Sequence, residues 1–161
     1  MNEIGEDLRR TMRQWVTGVS IVSSFYQGAM HGMTVNSLSS VSLDPPVVLV
    51  SLQHATRTYQ MVTESGIAAI TILAETQAEL ADRFAGKVPE HEDRFAGVPT
   101  FSLQTGAPLI TGGMAFLDCR VRTMLRLELS TLFLFDVVAA RPSEFEIPLT
   151  YFNRTYHRLL P

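Results

Sequence analysis

The stretch HGMTVNSLSSVSLDPPVVLVSL, residues 31–52, joins a run of small polar residues to a strongly apolar segment. Residues 47–52 are apolar on successive positions, which predicts a strand covered on both faces, and Pro45 and Pro46 mark where it begins. Hydroxyl and amide side chains crowd into the positions just before this strand. Such groups either satisfy backbone turns and bulges or present hydrogen-bond partners to a ligand, and their spacing alone leaves both interpretations open.

The residues before this stretch predict a helix and a hairpin. The apolar residues of a helix over 6–16 fall on one face, with spacings typical of an amphipathic helix: Leu8, Met12, Trp15 and Val16. Residues 19–26 alternate β-branched residues with serines and predict a strand, and Gln27-Gly28 predicts a turn. Residues 29–35 are then expected to pair back as the second strand of the hairpin.

The residues after this stretch predict two helices with a strand between them. A helix is expected over 56–65 and a strand over 67–73. Thr76 and Glu79 have the spacing of a capping box, which predicts a helix that begins there and ends near Gly86.

Long strands dominate the second half of the chain. Residues 87–112 lack a clear period and predict a loop with short elements, whereas 114–129 contain no glycine or proline and predict a strand long enough to bend round a barrel. Residues 131–140 are its expected partner, and 149–159 alternate as a final edge strand. About six strands with three short helices predict a mainly β protein built as a closed antiparallel barrel, with no internal repeat.

The composition sets limits on the class of protein. The chain has 161 residues, 46% of them hydrophobic and 18% charged, which predicts a single domain over 1–161. A net charge of -3 gives no electrostatic footprint for nucleic acid. Cys119 is the single cysteine and cannot form an internal disulfide, and the sequence has neither a signal-peptide pattern nor a membrane-length apolar run. We therefore expect a soluble, cytoplasmic protein with no membrane or nucleic-acid partner.

Several motifs of enzyme chemistry are absent from the sequence. It contains no G-x-G-x-x-G, Walker A, C-x-x-C, H-E-x-x-H or G-x-S-x-G pattern. The histidines lie without the spacing of metal ligands, so we predict no metal site: His31, His54, His91 and His157. These absences disfavour acyl transfer and metal-dependent hydrolysis.

The polar run suits a flat ligand with an apolar face and a rim of hydrogen-bond donors and acceptors. Flavin is such a ligand, and its rim would be met by backbone amides and by four side chains, Thr34, Asn36, Ser37 and Ser40. Thr56, Arg57 and Thr58 occupy a predicted helix start, where they either cap the helix or bind a phosphate. Arg83 could add a second cation or simply complement a helix dipole.

Six blocks of the sequence together resemble the short-chain flavin reductase family, the small reductase components of two-component flavin-dependent monooxygenases. The resemblance runs from about residue 8 to 159 in unchanged order. It is carried by RRTMRQWVTGVSIVSS, HGMTVNSLSSVSLDPPVVLVSL, ADRFAGK, DRFAGVP, GAPLITGGMAFLDCRV, and STLFLFDVVAA followed by YFNRTYHRL. HGMTVNS with SLDPP is the most specific block.

The resemblance implies an FMN-binding split β-barrel that forms a homodimer. It also implies reduction of FMN or FAD by NADH or NADPH, with the reduced flavin released to a separate monooxygenase. Matched by position, the implied flavin-binding residues are Thr34, Val35, Asn36, Ser37, Ser40, Ser51, Leu52, Thr56, Arg57, Thr58, Arg83, Phe84, Ala85 and Gly86.

The nicotinamide side departs from the family pattern at one position. Family members carry Gly-Asp-His before the strand that reads TLFLF here, and this chain has Ser130 where that histidine is expected. A serine is a weaker donor without charge at neutral pH, so a flavin-binding carrier with little or no NAD(P)H oxidation is the alternative function. The remaining residues implied on this side are His31, Tyr151, Asn153, Arg154 and Tyr156. No catalytic acid or base is obligatory for hydride transfer between two cofactors.

Overall fold

The structure, a computed structural model, describes residues 3–87, 92–144 and 147–159. It confirms a mainly β protein with short helices. The described residues form three α-helices and one 3₁₀ turn: α1 (Glu3–Met12), α2 (Arg57–Ser65), the 3₁₀ turn (Glu75–Gln77) and α3 (Ala78–Phe84). Within this part of the chain, no helix has the length and apolar character needed to cross a lipid bilayer.

The described residues also form twelve strands. In chain order these are β1 (Thr17–Gly18), β2 (Ser20–Tyr26), β3 (Ala29–Val35), β4 (Ser39–Leu43), β5 (Pro46–Gln53), β6 (Ile67–Ile72), β7 (Thr100–Phe101), β8 (Leu109–Ile110), β9 (Ala115–Arg126), β10 (Ser130–Pro142), β11 (Leu149–Phe152) and β12 (Thr155–Arg158). Seven of them form one antiparallel sheet in the order β3-β2-β6-β9-β10-β5-β4. The other strands form a three-stranded sheet, β1-β11-β12, and the pair β7-β8.

The two edge strands of the seven-stranded sheet, β3 and β4, are neighbours in sequence. The antiparallel order makes β3 and β4 run in the same direction, and residues 36–38, which we call the seam, join the end of one to the start of the other. The chain therefore pairs with β2 as far as the end of β3 and pairs with β5 from the start of β4. Within the seam, the Ser37 hydroxyl accepts a hydrogen bond from the Ser51 amide (3.1 Å) and donates to the Ser51 carbonyl (3.3 Å), in place of ladder bonds.

The apolar sides of these strands form the core inside the sheet. Phe133 and Phe135 of β10 stack with ring centroids 5.6 Å apart, and both side chains are fully buried. Val62 of α2 packs into the same cluster. Its other buried members come from five strands: Val22, Val35, Val48, Val50, Leu52, Ala68, Ile70 and Cys119. Burial of this size is the main stabilising contribution to a domain of this length.

A second cluster packs α3 against the outer face of the sheet. Phe84 at the end of α3 meets Phe95 edge to face, with centroids 4.9 Å apart. Leu149 of β11 belongs to the same cluster, so the C-terminal strands are held next to α3. Thr34 adds a polar link, because its hydroxyl donates to the Ala81 carbonyl at 2.6 Å. The end of β3, the end of α3 and the C-terminal strands thus lie together.

The prediction of about six strands is too low, partly because β1, β7 and β8 have only two residues each, and two further strands were missed for physical reasons. The edge strand β4 was missed because its residues are mostly exposed and offer little apolar alternation. The final segment was predicted as one strand, but it is a hairpin, β11-β12, that turns at Asn153 and Arg154. Both residues adopt positive φ, 46° and 67°, as tight hairpin turns require.

Two predicted helix boundaries are wrong. Helix α1 covers Glu3–Met12 rather than 6–16, because the amides of Gln14 and Trp15 bond back three residues and end the helix in a tight turn. The capping box at Thr76 and Glu79 does not form. The Gln77 side chain instead accepts from the Ala74 amide at 3.0 Å, so the first turn begins earlier and is 3₁₀.

Candidate functional site

A cleft of about 980 Å³ lies where the end of β3, the start of α2, the end of α3 and the C-terminal hairpin meet. Its volume is at the upper end of the range of about 300–1,000 Å³ for small-molecule sites. The cleft is lined by Val19, His31, Met33, Thr34, Val35, Asn36, Ala55, Thr56, Arg57, Gln60, Phe84, Ala85, Lys87, Arg94, Tyr151, Arg154, Thr155 and Tyr156. The structure therefore brings residues distant in sequence into one concave surface.

The polar run is divided between the cleft and the barrel. Thr34, Val35 and Asn36 line the cleft, and Asn36 is exposed there. Ser37 lies outside the lining and binds Ser51 across the seam. Ser40 is an exposed residue of the edge strand β4, also outside the lining. The structural interpretation of this stretch thus applies to Ser37, whereas ligand binding by its first residues stays a prediction.

The start of α2 contributes a helix N-terminus to the cleft wall. Thr56 is the N-cap, and its hydroxyl accepts from the Tyr59 amide at 3.2 Å, as predicted for a capping residue. Arg57 is exposed and lines the cleft, whereas Thr58 is fully buried and lies behind it. The Thr58 hydroxyl is 2.8 Å from Nδ1 of His31, which does line the cleft.

Three predicted residues at the end of β5 and the start of β10 lie outside the cleft lining. Leu52 is fully buried in the barrel core, so only its main chain could meet a ligand. Ser51 pairs with Leu132 in the ladder and with Ser37 in the seam. Ser130 begins β10 opposite Gln53.

The end of α3 contributes Phe84 and Ala85 to the cleft, whereas Arg83 and Gly86 do not line it. The Arg83 guanidinium instead donates to the carbonyls of Asp93 (3.0 Å) and Ala96 (2.8 Å). Phe84 packs against Gly32, where a Cβ would lie 3.2 Å from the ring. A glycine at this position of β3 therefore allows α3 to approach the strand.

The C-terminal hairpin closes the far side of the cleft. Tyr151, Arg154 and Tyr156 line it, whereas Asn153 occupies the turn. The rings of Tyr151 and Tyr156 are tilted at 56°, with centroids 5.5 Å apart. Burial and the nearby Asp82 carboxylate raise the pKa of Tyr156 to about 12, so its hydroxyl stays protonated and can donate at neutral pH.

Sequence analysis missed Arg94, which enters the cleft from a loop and donates to the carbonyls of Gly32 (3.0 Å) and Phe84 (3.1 Å). A signal was present, because the pentapeptide DRFAG occurs twice, at 82–86 and 93–97. The duplication covers five residues and does not form a structural repeat, because 82–84 are helical and 93–97 are not. Further lining residues that were not predicted are Val19, Met33, Ala55, Gln60, Lys87 and Thr155.

The cleft is positively charged although the chain carries a net charge of -3. Among the described residues, its lining holds four cationic side chains and no carboxylate: Arg57, Lys87, Arg94 and Arg154. Lys87 is paired with Asp82 at 2.7 Å. Burial, then Arg94 and Arg57, lower the pKa of His31 to about 4, so its imidazole is neutral at pH 7. This charge pattern favours an anionic ligand.

The described residues, which do not include His91, contain no group of three or more His, Cys, Asp or Glu side chains that could hold a metal ion. Cys119 is buried in the core, and burial, aided by Asp118, raises the pKa of its thiol to about 12. A protonated, buried thiol is a poor nucleophile.

The fold and the cleft define a class of protein: an antiparallel barrel with a cationic cleft large enough for a nucleotide. The model of the flavin reductase like domain matches residues 12–160. The NADH-dependent flavin reductase StyB of Pseudomonas fluorescens is 33% identical over 152 residues, 92% of this chain and 86% of that protein. The chain therefore belongs to the flavin reductase-like family.

Solved structures agree with this assignment. The styrene monooxygenase flavin reductase SMOB from Pseudomonas putida S12 has a TM-score of 0.84 and 33% identity, covering 96% of this chain and 99% of that one. The Streptomyces globisporus NADH:FAD oxidoreductase SgcE6, solved with NAD and FAD fragments, has a TM-score of 0.89 and 30% identity, covering 98% and 93%. The barrel described above is thus the fold of flavin reductases.

Proposed function

We propose that this protein reduces FMN or FAD with NADH or NADPH and releases the reduced flavin to a separate monooxygenase. The observation that carries the proposal is the cationic cleft between β3, α2 and α3, in a chain that belongs to the flavin reductase-like family. StyB is named as NADH-dependent, and HsaB of Mycobacterium tuberculosis as the reductase subunit of a flavin-dependent monooxygenase.

The residues present fit a flavin nucleotide. The cleft has the volume for a nucleotide, and its wall combines apolar groups such as Val35 and Phe84 with cations at the rim. At the start of α2 the Tyr59 amide is capped by Thr56, whereas the amides of Arg57 and Thr58 precede the first intrahelical acceptor, and such a helix start suits a phosphate. In this proposal Thr56 and Arg57 hold the phosphate, and Thr58 supports them from the interior.

The ring would be met by the end of β3 and the seam. The main-chain groups of residues 34–37 and the exposed Asn36 amide would offer donors and acceptors to its polar rim, and Ala85, just after α3, would border it, with Gly86 next to it in the chain. Donors aimed at the pyrimidine edge would stabilise the negative charge that develops there on reduction. The remaining predicted contacts, Ser40, Ser51, Leu52 and Arg83, would act through the main chain or through packing.

The bound flavin supplies the redox chemistry, and the protein supplies position and electrostatics. Tyr151, Arg154 and Tyr156 face the cleft from the hairpin, opposite β3, and are the proposed contacts of the nicotinamide nucleotide. His31 is neutral and can accept or donate one hydrogen bond without changing charge. No side chain is required as an acid or base in this proposal.

The test is oxidation of NADH and NADPH at 340 nm with FMN, FAD or riboflavin added to the purified protein. We expect flavin-dependent oxidation of at least one nucleotide. Under anaerobic conditions, a molar excess of flavin over protein should be bleached completely, because reduced flavin must leave for the next molecule to enter. Absence of flavin-dependent oxidation of both nucleotides would contradict the proposal.

Ser130 keeps the flavin-carrier alternative open. It lies outside the cleft lining of a single chain, so the effect of losing a histidine there depends on whether this strand end meets the nicotinamide. Tight flavin binding without nucleotide oxidation would favour the carrier. Gain of oxidation in Ser130→His would identify the missing side chain as the cause.

We also propose a homodimer that works in the cytoplasm. Large apolar side chains are exposed after the end of α1, at the end of β4 and just before β10, with exposed fractions of 65% for Trp15, 87% for Leu43 and 79% for Leu129. Such residues are typical of interfaces. Sedimentation at micromolar concentration should give twice the monomer mass, and Leu129→Glu should lower it; a monomeric wild-type protein would contradict the dimer.

A further inference from the structure

Arg94 has an unusual environment for an arginine. It is half-buried, it lines the cleft, and its Nη1 donates to two main-chain carbonyls, those of Gly32 and Phe84. Across residues 3–87, 92–144 and 147–159, no carboxylate lies within 4 Å of its guanidinium nitrogens. Neutral carbonyls fix the position of the guanidinium but leave its charge uncompensated.

The loop that carries Arg94 is itself fastened to α3. Arg83 donates to the carbonyls of Asp93 and Ala96, on either side of Arg94, at 3.0 and 2.8 Å. Phe95 is buried against Phe84. The main chain around Arg94 is thus held by side chains of α3, so the guanidinium enters the cleft from a fixed base.

A second guanidinium acts on the same part of the cleft. Arg57 at the start of α2 and Arg94 both disfavour protonation of His31, and Asp93 opposes them weakly. The other polar side chains that face this space are cations or phenols rather than carboxylates: Lys87, Arg154, Tyr151 and Tyr156. Two cations beside a half-buried neutral imidazole form a site that an anion with several acceptor oxygens would neutralise.

We propose that Arg94 is a specificity-determining residue that binds a phosphate group of a nucleotide in the cleft, and that Arg83 is the residue that positions it. This inference rests on the proposed function. The phosphate belongs either to the flavin or to the nicotinamide dinucleotide. In the first case the affinity for FMN depends on Arg94, and in the second case KM for NADH does. A guanidinium suits this role because it keeps its charge at all physiological pH values and can still donate through Nη2 and Nε.

The first experiment compares flavins with and without a phosphate. Dissociation constants for FMN and riboflavin are measured by flavin fluorescence in the wild-type protein and in Arg94→Met, with Arg122→Met as the matched control, because Arg122 forms an exposed ion pair with Asp136. If the flavin phosphate is bound, Arg94→Met weakens FMN about 10- to 100-fold and leaves riboflavin unchanged. Arg122→Met should change neither.

The second arm tests the nicotinamide source. If Arg94 binds the phosphates of the dinucleotide, Arg94→Met raises KM for NADH with kcat and the FMN dissociation constant unchanged, and it does not raise KM for reduced nicotinamide riboside. Arg83→Met should shift the same constant in the same direction by a smaller factor, because the loop loses its fastening while the cation remains. Arg94→Lys, which keeps the charge, should lie between wild type and Arg94→Met, and it serves if Arg94→Met does not fold.

Two results would overturn the inference. One is an Arg94 variant whose FMN affinity and KM for NADH both equal those of Arg122→Met. The other is an equal loss of FMN and riboflavin binding, which would assign Arg94 a purely structural role. Either result would leave the proposed function intact as long as the wild-type protein oxidises NADH with flavin, whereas a wild type that binds no flavin would refute the proposed function itself.

Discussion

The two DRFAG segments have identical sequences and different structures. Residues 82–86 form the last turn of α3 and the turn after it, whereas residues 93–97 form turns outside any helix or strand. The phenylalanines are equivalent, because Phe84 and Phe95 are both buried and contact each other. The remaining side chains have different partners, so the pentapeptide fixes the apolar contact and leaves the polar ones to the surroundings.

The arginines show the difference most clearly. Arg83 extends along the surface and donates to carbonyls of the second segment, whereas Arg94 enters the cleft and donates to a carbonyl of the first. Each copy therefore binds the main chain of the other region. One arginine holds a loop in place and the other presents its charge to the cleft, although nothing in the five residues distinguishes them.

The aspartates differ because one is helical. Asp93 is outside a helix, so its carboxylate accepts from the Phe95 amide two residues on, at 2.9 Å. In α3 the equivalent amide, that of Phe84, belongs to the helix. Asp82 therefore does not bond to it and instead pairs with Lys87 at the surface. Secondary structure thus decides which hydrogen bonds a side chain can make, and tertiary position decides which of them matter for the cleft.

Truncating the shared aromatic contact should have the largest effect. We expect Phe84→Ala to lower the free energy of unfolding by about 3–5 kcal/mol, because the ring is fully buried against Phe95 and Gly32 and a cavity remains. Phe95→Ala should lower it less, since the irregular 93–97 segment can collapse into the space. Urea unfolding measures both, with the exposed Phe25→Ala as control; a greater loss in Phe95→Ala would contradict the order.

Substitution of the glycine in each segment should distinguish an effect on the free energy of unfolding from an effect on FMN affinity. Gly86 and Gly97 have φ of 85° and 71°, so an alanine at either position should lower the free energy of unfolding by about 1–2 kcal/mol. A Cβ on Gly86 would lie 3.4 Å from Nη2 of Arg94, whereas none of the described atoms lies within 4 Å at Gly97. Any effect on FMN affinity should therefore be confined to Gly86→Ala. Equal effects on FMN affinity would refute a special relation between Gly86 and Arg94.

The aspartates should give a smaller difference in stability. Asp93→Ala removes a hydrogen bond to the main chain of its own turn and should lower the free energy of unfolding by about 1 kcal/mol. Asp82→Ala removes a partly exposed ion pair with Lys87 and should change it by less than about 1 kcal/mol. Chemical denaturation of both variants tests the order, and a larger loss in Asp82→Ala would show that the surface pair matters more than the turn.

The smallest effect is on the protonation of His31. Burial, then Arg94 and Arg57, hold its pKa near 4, and we expect Arg94→Met to raise that pKa by more than Arg83→Met does. Because the pKa in the folded state lies below the ordinary value of 6.5, this histidine makes the protein lose stability as the pH falls from about 6.5 to about 4. Arg94→Met should reduce that loss. Titration of the His31 ring by NMR provides the measurement, and equal shifts in the two variants would contradict the assignment.

Features with a strong local signal were predicted from the sequence. The alternation of 19–26, the apolar run of 47–52 and the cap at Thr56 each produced the expected element within about one residue. Strand β4 was missed because an exposed edge strand needs no apolar face. The end of α1 was misplaced because apolar spacing continued to Val16, beyond the turn that ends the helix.

The cleft was predicted where its lining residues are contiguous in sequence and missed where they come from a loop. Thr34, Val35 and Asn36 do line the cleft. Arg94 could not be told from Arg83 by local pattern, because only the packing of Phe95 against Phe84 turns one inward and the other outward. Leu52 matched by position, but strand alternation directs its side chain into the core.

The seam limits how this protein can diversify. Residues 36–38 join the two sheet edges and also border the cleft through Asn36, so inserting residues there would change how β4 follows β3 and would alter the cleft wall at the same time. The loop that carries Arg94 contributes no strand to the barrel and is free of this constraint. Changes of ligand preference during evolution or engineering are therefore better made by lengthening or resequencing that loop than by altering the covalent join of the barrel.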